Sequence, residues 1–450
     1  MTHHVILGAG PAGVIAAETL RKHAPRDRIT VIGDENEAPY SRMAIPYLLI
    51  GKVGEEGTHL RHTAGHFEKL GITVLRGVRA KVLDSAKRTL ELSDGNTLGF
   101  DKLLIATGSS PFTPPIPGIQ GPGVHSCWTL ADARAIAALA QPGAQVLQMG
   151  AGFIGCIIME ALQLRGVSLS VVEMGDRMVP RMMGPTAGGM IKRWCESKGV
   201  KVYTGTRVEA IERGTSADKG LLGKIAQAVG IGQSSMPTGP LQVRLSTGQT
   251  LQADLVISAT GVKPNIGFLE NSGVRCLTGV LTDERMQTNV SGIYAAGDCA
   301  EAFDKISGQT IVSAIQPNAA EQARVAALNM AGQDTTLKGV TQINVLDTLG
   351  LISTSFGNWE GVAGGEHAAL TDQAAGRHLS LQFKDDVLIG CNSVGWTEHV
   401  GVMRGLVEGQ IRLGEWKDRL LQDPTRLVDA YLACAQGQGQ WAGAQDARRR

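Results

Sequence analysis

Three apolar residues, Val5-Ile6-Leu7, precede six small ones, Gly8-Ala9-Gly10-Pro11-Ala12-Gly13, and then apolar and small residues recur at helical spacing over 14–23. This order predicts a short buried strand, a tight turn and a helix. After a break at Pro25, a second apolar run, Ile29-Thr30-Val31-Ile32, stops at Gly33-Asp34-Glu35. The pattern returns from residue 144. Val146-Leu147-Gln148-Met149 runs into Gly150-Ala151-Gly152-Phe153-Ile154-Gly155, a helix is predicted to about 165, and a strand over 168–172 closes on Glu173.

A second repeat binds the two halves together. Leu92-Ser93-Asp94-Gly95-Asn96-Thr97-Leu98 leads into Asp101 and then Ala106-Thr107-Gly108. Likewise Leu245-Ser246-Thr247-Gly248-Gln249-Thr250-Leu251 leads into Asp254 and then Ala259-Thr260-Gly261. Each predicts a hairpin feeding a buried strand that ends at a glycine. A third such strand end, Ile293-Tyr294-Ala295-Ala296-Gly297-Asp298, is followed by a small-residue helix predicted over 317–330. From about residue 338 short alternating runs (343–346, 379–383, 387–389) predict a smaller domain, with helical pieces over 398–432. The segment 214–240, rich in Gly, Ser, Gln and Pro, reads as a surface insertion whose core, 221–231, has the composition of a short helix.

The expected fold class is therefore α/β: two Rossmann-like dinucleotide-binding domains, one inserted in the other, plus a smaller C-terminal α+β domain. The boundaries drawn from sequence are 1–115 with 250–330 for the first domain, 116–249 for the second, 338–432 for the third, and a flexible tail at 433–450.

Composition narrows the function classes. Lys plus Arg (43) nearly cancels Asp plus Glu (42) over 450 residues, so no general field draws the chain to nucleic acid or to an anionic membrane. The longest weakly charged stretch, 144–159, is interrupted by Gln and Gly and falls short of the ~20 apolar residues of a membrane span. The start, Thr2-His3-His4-Val5, lacks the charged leader of a signal peptide. Seven cysteines lie far apart with no CxxC pair, which points to a reducing cytoplasm and away from a metal site.

A GxGxxG turn lets backbone approach a pyrophosphate closely, with N–H donors and a partial positive charge supplied by the helix N-terminus. The carboxylate closing the next strand accepts hydrogen bonds from ribose hydroxyls. Glu35 is favoured for that role in the first module, with Asp34 as the alternative, and Glu173 takes it in the second. A carboxylate there repels a 2′-phosphate, so NADH is expected over NADPH, a preference that the nearby Arg177 softens.

With these motifs the chain resembles the two-dinucleotide-binding-domain flavoproteins of the FAD/NAD(P)-dependent pyridine nucleotide-disulfide oxidoreductase class, over about residues 3–330. The resemblance implies FAD in the first module, on Gly8, Gly10, Pro11, Ala12, Gly13, Glu35 or Asp34, Arg42, Ala106, Thr107 and Gly108. It implies that Ala80 meets the adenine through its backbone, that Gly297 contacts the cofactor and Asp298 holds the ribityl chain, and that the helix opening at Gln316 and Pro317 aims at the flavin pyrimidine edge. NADH would sit in the second module on Gly150, Gly152, Phe153, Ile154, Gly155, Glu173 and Gly261.

Residues 33–42 look most like the ferredoxin, rubredoxin and nitrite-reductase-type flavin reductases. Ser41-Arg42-Met43-Ala44-Ile45-Pro46-Tyr47 is similar to the coenzyme A-disulfide reductase and NADH oxidase branch, but Met43 stands where that branch has its redox cysteine. A thioether forms neither thiolate nor disulfide, which excludes cysteine chemistry at this position. Tyr47 stands where the ferredoxin-reductase branch often has Lys. Ile157 stands where many relatives have Glu, and the nearest acid is Glu160. All seven cysteines are expected to pack. His399 is a weak candidate for an acceptor site, and Trp359 and Trp396 are expected at a domain interface.

What the resemblance implies is hydride transfer from NADH to flavin N5, with the flavin rather than any protein residue carrying the chemistry. Electrons would then pass to a separate acceptor such as a rubredoxin-like or ferredoxin-like protein, or to a small molecule or quinone. A homodimer is also implied. The rival readings are an NADH oxidase without a redox cysteine and a non-catalytic FAD/NADH-binding sensor or scaffold.

Overall fold

The computed structural model describes residues 1–213 and 240–434. Of the 214–240 insertion only Pro240 is among the described residues. The expected helix at 221–231 and the tail beyond 434 lie outside them.

Two parallel five-stranded sheets form the body. The first runs Ile293–Ala295, Lys102–Ile105, His3–Leu7, Arg28–Ile32, Ile72–Leu75, and the second Val124–His125, Leu255–Ser258, Gln145–Met149, Ser168–Val172, Lys201–Tyr203. Four strands keep the same order in both sheets, so the sequence repeat is a repeat of topology; only the outermost differs, Ile293–Ala295 following its neighbours in the chain and Val124–His125 preceding them. His3–Leu7 and Gln145–Met149 lie at the centre of their sheets and are buried in four of five residues each. That is why they read as mostly apolar runs, broken only by the buried His4 and Gln148, rather than as alternating ones. Each module also carries a three-stranded antiparallel meander: Ala80–Asp84, Thr89–Leu92 and Thr97–Gly99 in one, Val208–Arg213, Leu241–Leu245 and Thr250–Ala253 in the other.

The pairing corrects one boundary. Thr250–Ala253 belongs to the second meander and Leu255–Ser258 pairs with Gln145–Met149. The second module therefore runs to about residue 260 instead of 249. The chain returns to the first module through Val262–Pro264, which pairs antiparallel with the outgoing Ser109–Pro111. A boundary at 249 falls at the turn of the hairpin formed by Leu241–Leu245 and Thr250–Ala253. The return is made instead after the strand that the hairpin feeds.

The last domain is a five-stranded antiparallel sheet, ordered Ile343–Thr348, Leu351–Gly357, Val387–Val394, Arg377–Lys384, Glu366–Asp372, with helices Val400–Gly409 and Glu415–Gln422. Leu346, Leu349 and Val394 join one buried cluster with Ile45, Cys156 and Met183, so this domain packs on the second module's helices. Trp194 lies at that interface, its indole N–H donating to the Leu349 carbonyl at 3.1 Å. Trp396 instead packs within the last domain's own core and lies under the Arg377 guanidinium. His399 sits at the N-terminal end of helix Val400–Gly409, in that same domain. Among the described residues no helix is long and apolar enough to cross a membrane.

Candidate functional site

Both glycine turns are built alike. Gly8 (φ +113°) and Gly150 (φ +93°) take the left-handed region, and a Cβ on either would strike a carbonyl: Ala106 O at 2.0 Å in one module, Ala259 O at 2.4 Å in the other. This is the physical link between the two repeats, since the alanine of each Ala-Thr-Gly lies against the first glycine of its turn. Gly13 and Gly155 are forced by packing, because a Cβ there would meet Gly8 O at 1.9 Å and Gly150 O at 2.6 Å. Gly10 and Gly152, by contrast, have nothing within 4 Å of such a Cβ. A turn glycine, a packing glycine and a middle glycine facing open space together make the cradle that a pyrophosphate requires.

The helices behind the turns are left ready for an anion. Pro11–His23 and Phe153–Leu164 start at Gly10 and Gly152 with no side-chain cap and no acid in the first turn. Their leading N–H groups and partial positive charge are thus not met by the protein's own carboxylates. Gln316–Met330 begins the same way, with Pro317 near its start and Gln316 and Pro317 exposed. Gly297 (φ +81°) lies between the side chains of Ala12 and Ala319, and its N–H donates to Gln322 Oε1 at 2.8 Å. The first and last helices of this module therefore converge beside Asp298.

Around Asp298 the structure collects several residues expected at the site. Ser109 Oγ donates to its carboxylate at 3.0 Å. Burial pushes the Asp298 carboxyl up, opposed by that hydrogen bond and by the nearby Arg42 charge. Arg42 pairs with Glu35 at 2.8 Å, reaches the Ser109 carbonyl at 3.4 Å and lies over the Trp128 ring. Tyr40 O–H donates to the other Glu35 oxygen at 2.7 Å, and burial with that contact pushes its phenol up to about 12. Asp34, the alternative acid, turns away to an exposed pair with Arg79. Backbone bonds from Gly77 N to Glu35 O and from Val78 N to Gly33 O bring the start of Ala80–Asp84 beside the same strand end.

In the second module Glu173 accepts from Ala151 N and Gly175 N, both at 2.7 Å. Its carboxylate is thereby fixed at the mouth of the glycine turn. Arg177 does not face it. Its Nε donates to Met183 O at 2.8 Å, one terminal nitrogen pairs with Asp176 at 2.7 Å, and the other reaches Pro180 O at 3.4 Å. The expected softening of nucleotide preference therefore has no support in this arrangement. Thr107 is clamped by Asn265, which accepts from its hydroxyl and donates to its carbonyl, and Gly261 O accepts from Phe112 N.

Met43 and Tyr47 are each about half exposed, on a short turn and helix whose other face, Ile45 and Leu49, is buried against the second module. Ile157 is half-buried in the same cluster. Burial and the Asp347 charge push the Glu160 carboxyl up, with Lys52 opposing. All seven thiols are free, and five of them are buried. Cys299, next to Asp298, has its thiol turned to the Ile105 and Ala296 carbonyls and pushed up by burial. Among the described residues no cluster suited to a metal ion exists.

Sequence reasoning missed Trp128, Asn265, Gln322 and Asn392, the last of which holds Gly184 N and Met182 O through its side-chain amide. Tyr40 falls inside the 33–42 stretch, where the sequence gives it no role of its own. The other four lie far in sequence from what they hold, so no local pattern could have marked them.

The family model for pyridine nucleotide-disulphide oxidoreductases matches residues 2–327. The chain belongs to that family. It is an oxidoreductase. It is 32% identical, over 94% of its length and 95% of the relative's, to the epsilon subunit of the NADH-dependent phenylglyoxylate dehydrogenase of Aromatoleum evansii. It is 30% identical, over 87% of both chains, to an NADH oxidase of Methanocaldococcus jannaschii. To the ferredoxin–NAD(+) reductase subunit of a Pseudomonas putida benzene 1,2-dioxygenase system it is 29% identical, over 67% of this chain and 68% of that one.

Proposed function

We propose that this protein is an FAD-dependent NADH oxidoreductase that passes electrons to a separate acceptor protein. The observation that carries the reading is the pair of glycine cradles, each backed by an uncapped helix N-terminus and closed by a carboxylate. A flavin held there would supply the hydride-accepting and electron-releasing chemistry between NADH and the acceptor. The first cradle, with Arg42, Asp298 and the helix opening at Gln316, supports FAD. Arg42 neutralises pyrophosphate charge while Glu35 and the Trp128 ring hold its guanidinium in place. Asp298 accepts hydrogen bonds from the ribityl hydroxyls, and the Gln316–Met330 N-terminus stabilises negative charge at the flavin's pyrimidine edge.

Met43 removes the thiol route, and the buried Cys299 thiol offers no substitute. Electrons therefore leave without a protein disulfide. A protein acceptor is supported by similarity over nearly the whole chain to one subunit of a multi-subunit NADH-dependent enzyme and by the ferredoxin–NAD(+) reductase relative. Homodimerisation stays part of the proposal as an expectation of the family.

The test is anaerobic mixing of the flavin-loaded protein with NADH, followed by addition of a ferredoxin or rubredoxin. Rapid bleaching of the flavin and reduction of the carrier are expected. A flavin that stays oxidised refutes the enzyme reading. The similarity to an NADH oxidase favours one second reading, direct reaction with oxygen. It would be marked by NADH-driven oxygen consumption faster than carrier reduction.

A further inference from the structure

Arg177 lies four residues beyond Glu173, in the loop where a cation would ordinarily draw a 2′-phosphate. Yet each of its three nitrogens finds a partner on its own loop: Met183 O, Asp176 and, at 3.4 Å, Pro180 O. Its stem lies across Gly188, where a Cβ would come within 3.0 Å of the Arg177 Cβ and Cδ. The loop is itself held at two points. Val179, a buried β-branched residue at φ +49°, donates its N–H to Ala151 O of the glycine turn and accepts from Met182 N and Met183 N. A valine in the left-handed region persists only where its surroundings over-determine it. The second point is Asn392 of the C-terminal sheet, 3% exposed. Its Oδ1 accepts from Gly184 N at 3.0 Å and its Nδ2 donates to Met182 O at 2.9 Å. The residue between those two contacts, Met183, supplies the carbonyl that binds Arg177.

We propose that Asn392 is a positioning residue for nucleotide selectivity: from the C-terminal domain it latches the 176–184 loop so that Arg177 stays withdrawn from the nucleotide and the site favours NADH. This rests on the assignment of the second module to NADH. The physical logic is that a guanidinium already making three contacts gains little by turning to a phosphate, whereas one released from them gains a charge-assisted bidentate partner.

The experiment is calorimetric titration of wild-type, Asn392→Ala, Asn392→Asp, Asp176→Ala, Arg177→Ala and Asn392→Ala/Arg177→Ala proteins with NAD+ and NADP+, all with flavin bound. Asn392→Ala is expected to improve the ratio of NADP+ to NAD+ affinity by about ten-fold, the worth of one charge-assisted contact. The gain should vanish in the double variant. Asp176→Ala, an exposed change, frees one nitrogen of the fork and removes a carboxylate, so it should give a gain of its own. Asn392→Asp, which keeps the acceptor for Gly184 N but loses the donor to Met182 O, should give a smaller gain than Asn392→Ala and decides the matter if Asn392→Ala does not fold. Ratios that do not move in any folded variant overturn the proposal, as does a gain that survives without Arg177. Wild-type protein that binds neither nucleotide refutes the functional reading itself, and this latch with it.

Discussion

Glu173 holds the amides of Ala151 and Gly175, so its carboxylate presents a fixed negative charge where a nucleotide ribose would lie. Glu173→Ala removes that charge and frees both N–H groups. NADH use is expected to fall and NADPH use to improve relative to it, by about ten-fold in the ratio of kcat/KM values. An unchanged ratio in steady-state assays would show that the ribose is held elsewhere. The thiols give a second check at this scale. Cys127, Cys156, Cys195, Cys299 and Cys391 are buried, while Cys276 and Cys434 are half-buried. Burial pushes Cys127 up to about 12 and raises Cys156 and Cys391 further. Native protein should therefore expose two slowly reacting thiols to a chromogenic thiol reagent, and NADH-driven flavin reduction should survive their modification. Loss of flavin reduction on modifying a single fast thiol would contradict the view that electrons leave without cysteine.

Among the elements, Arg165 shows how the short helix Ile45–Leu49 is fixed. At the end of Phe153–Leu164 its guanidinium donates to Leu49 O at 2.6 Å, Ala137 O at 2.7 Å and Ala140 O at 2.9 Å. One cation thus satisfies terminal carbonyls of two other helices, Ile45–Leu49 and Leu130–Leu139. It also sets the turn that presents Met43 and Tyr47. Arg165→Ala should cost about 2–3 kcal/mol in denaturant unfolding, since charged hydrogen bonds are lost and partly buried carbonyls are left unmet. Arg165→Lys should recover part of that loss, because one ammonium cannot span the three acceptors. Equal losses for both variants would mean that packing of the stem, not the fork, does the holding. The contrast with the glycine turns explains what the sequence could tell. Strand, turn and helix follow one another within about 30 residues of a βαβ unit, so both modules were readable from local pattern, as was the carboxylate at the end of each second strand. The 250–260 boundary, the Arg165 staple, Asn265 on Thr107 and Asn392 on Gly184 depend on pairings between residues far apart in the chain. Nothing in their neighbours encodes them.

Across the molecule, hydride transfer requires the two modules to keep one relative placement. Besides the apolar packing of Ile45 and Leu49 and the Arg42–Trp128 contact, they are connected by the ribbon of Ser109–Pro111 with Val262–Pro264, the Arg165 staple, and an outer clasp in which Arg134 of the second module binds Glu55 and Glu37 of the first. In that clasp Arg134 meets both oxygens of Glu55, at 2.8 and 2.6 Å, and Glu37 at 2.8 Å. The ribbon is short and the staple uncharged on one side, so the clasp is the connection that pH and salt can address. Hydrogen bonding to Arg134 holds the Glu55 carboxyl below its ordinary value. The folded value lies below the unfolded one, so the stabilisation is complete above the unfolded value of about 4.3 and fades as pH falls through the folded one. Wild-type protein should melt above Arg134→Ala at pH 6–8, with the gap closing as pH falls from about 4 toward 3. Raising salt to about 1 M should narrow the gap at neutral pH, because the clasp is exposed and its charges are screened. Scanning calorimetry of both proteins over that range checks it. A gap that stays constant to pH 3 would assign the effect of Arg134 to packing of its stem, and the inner staple and ribbon would then hold the modules together without electrostatic help.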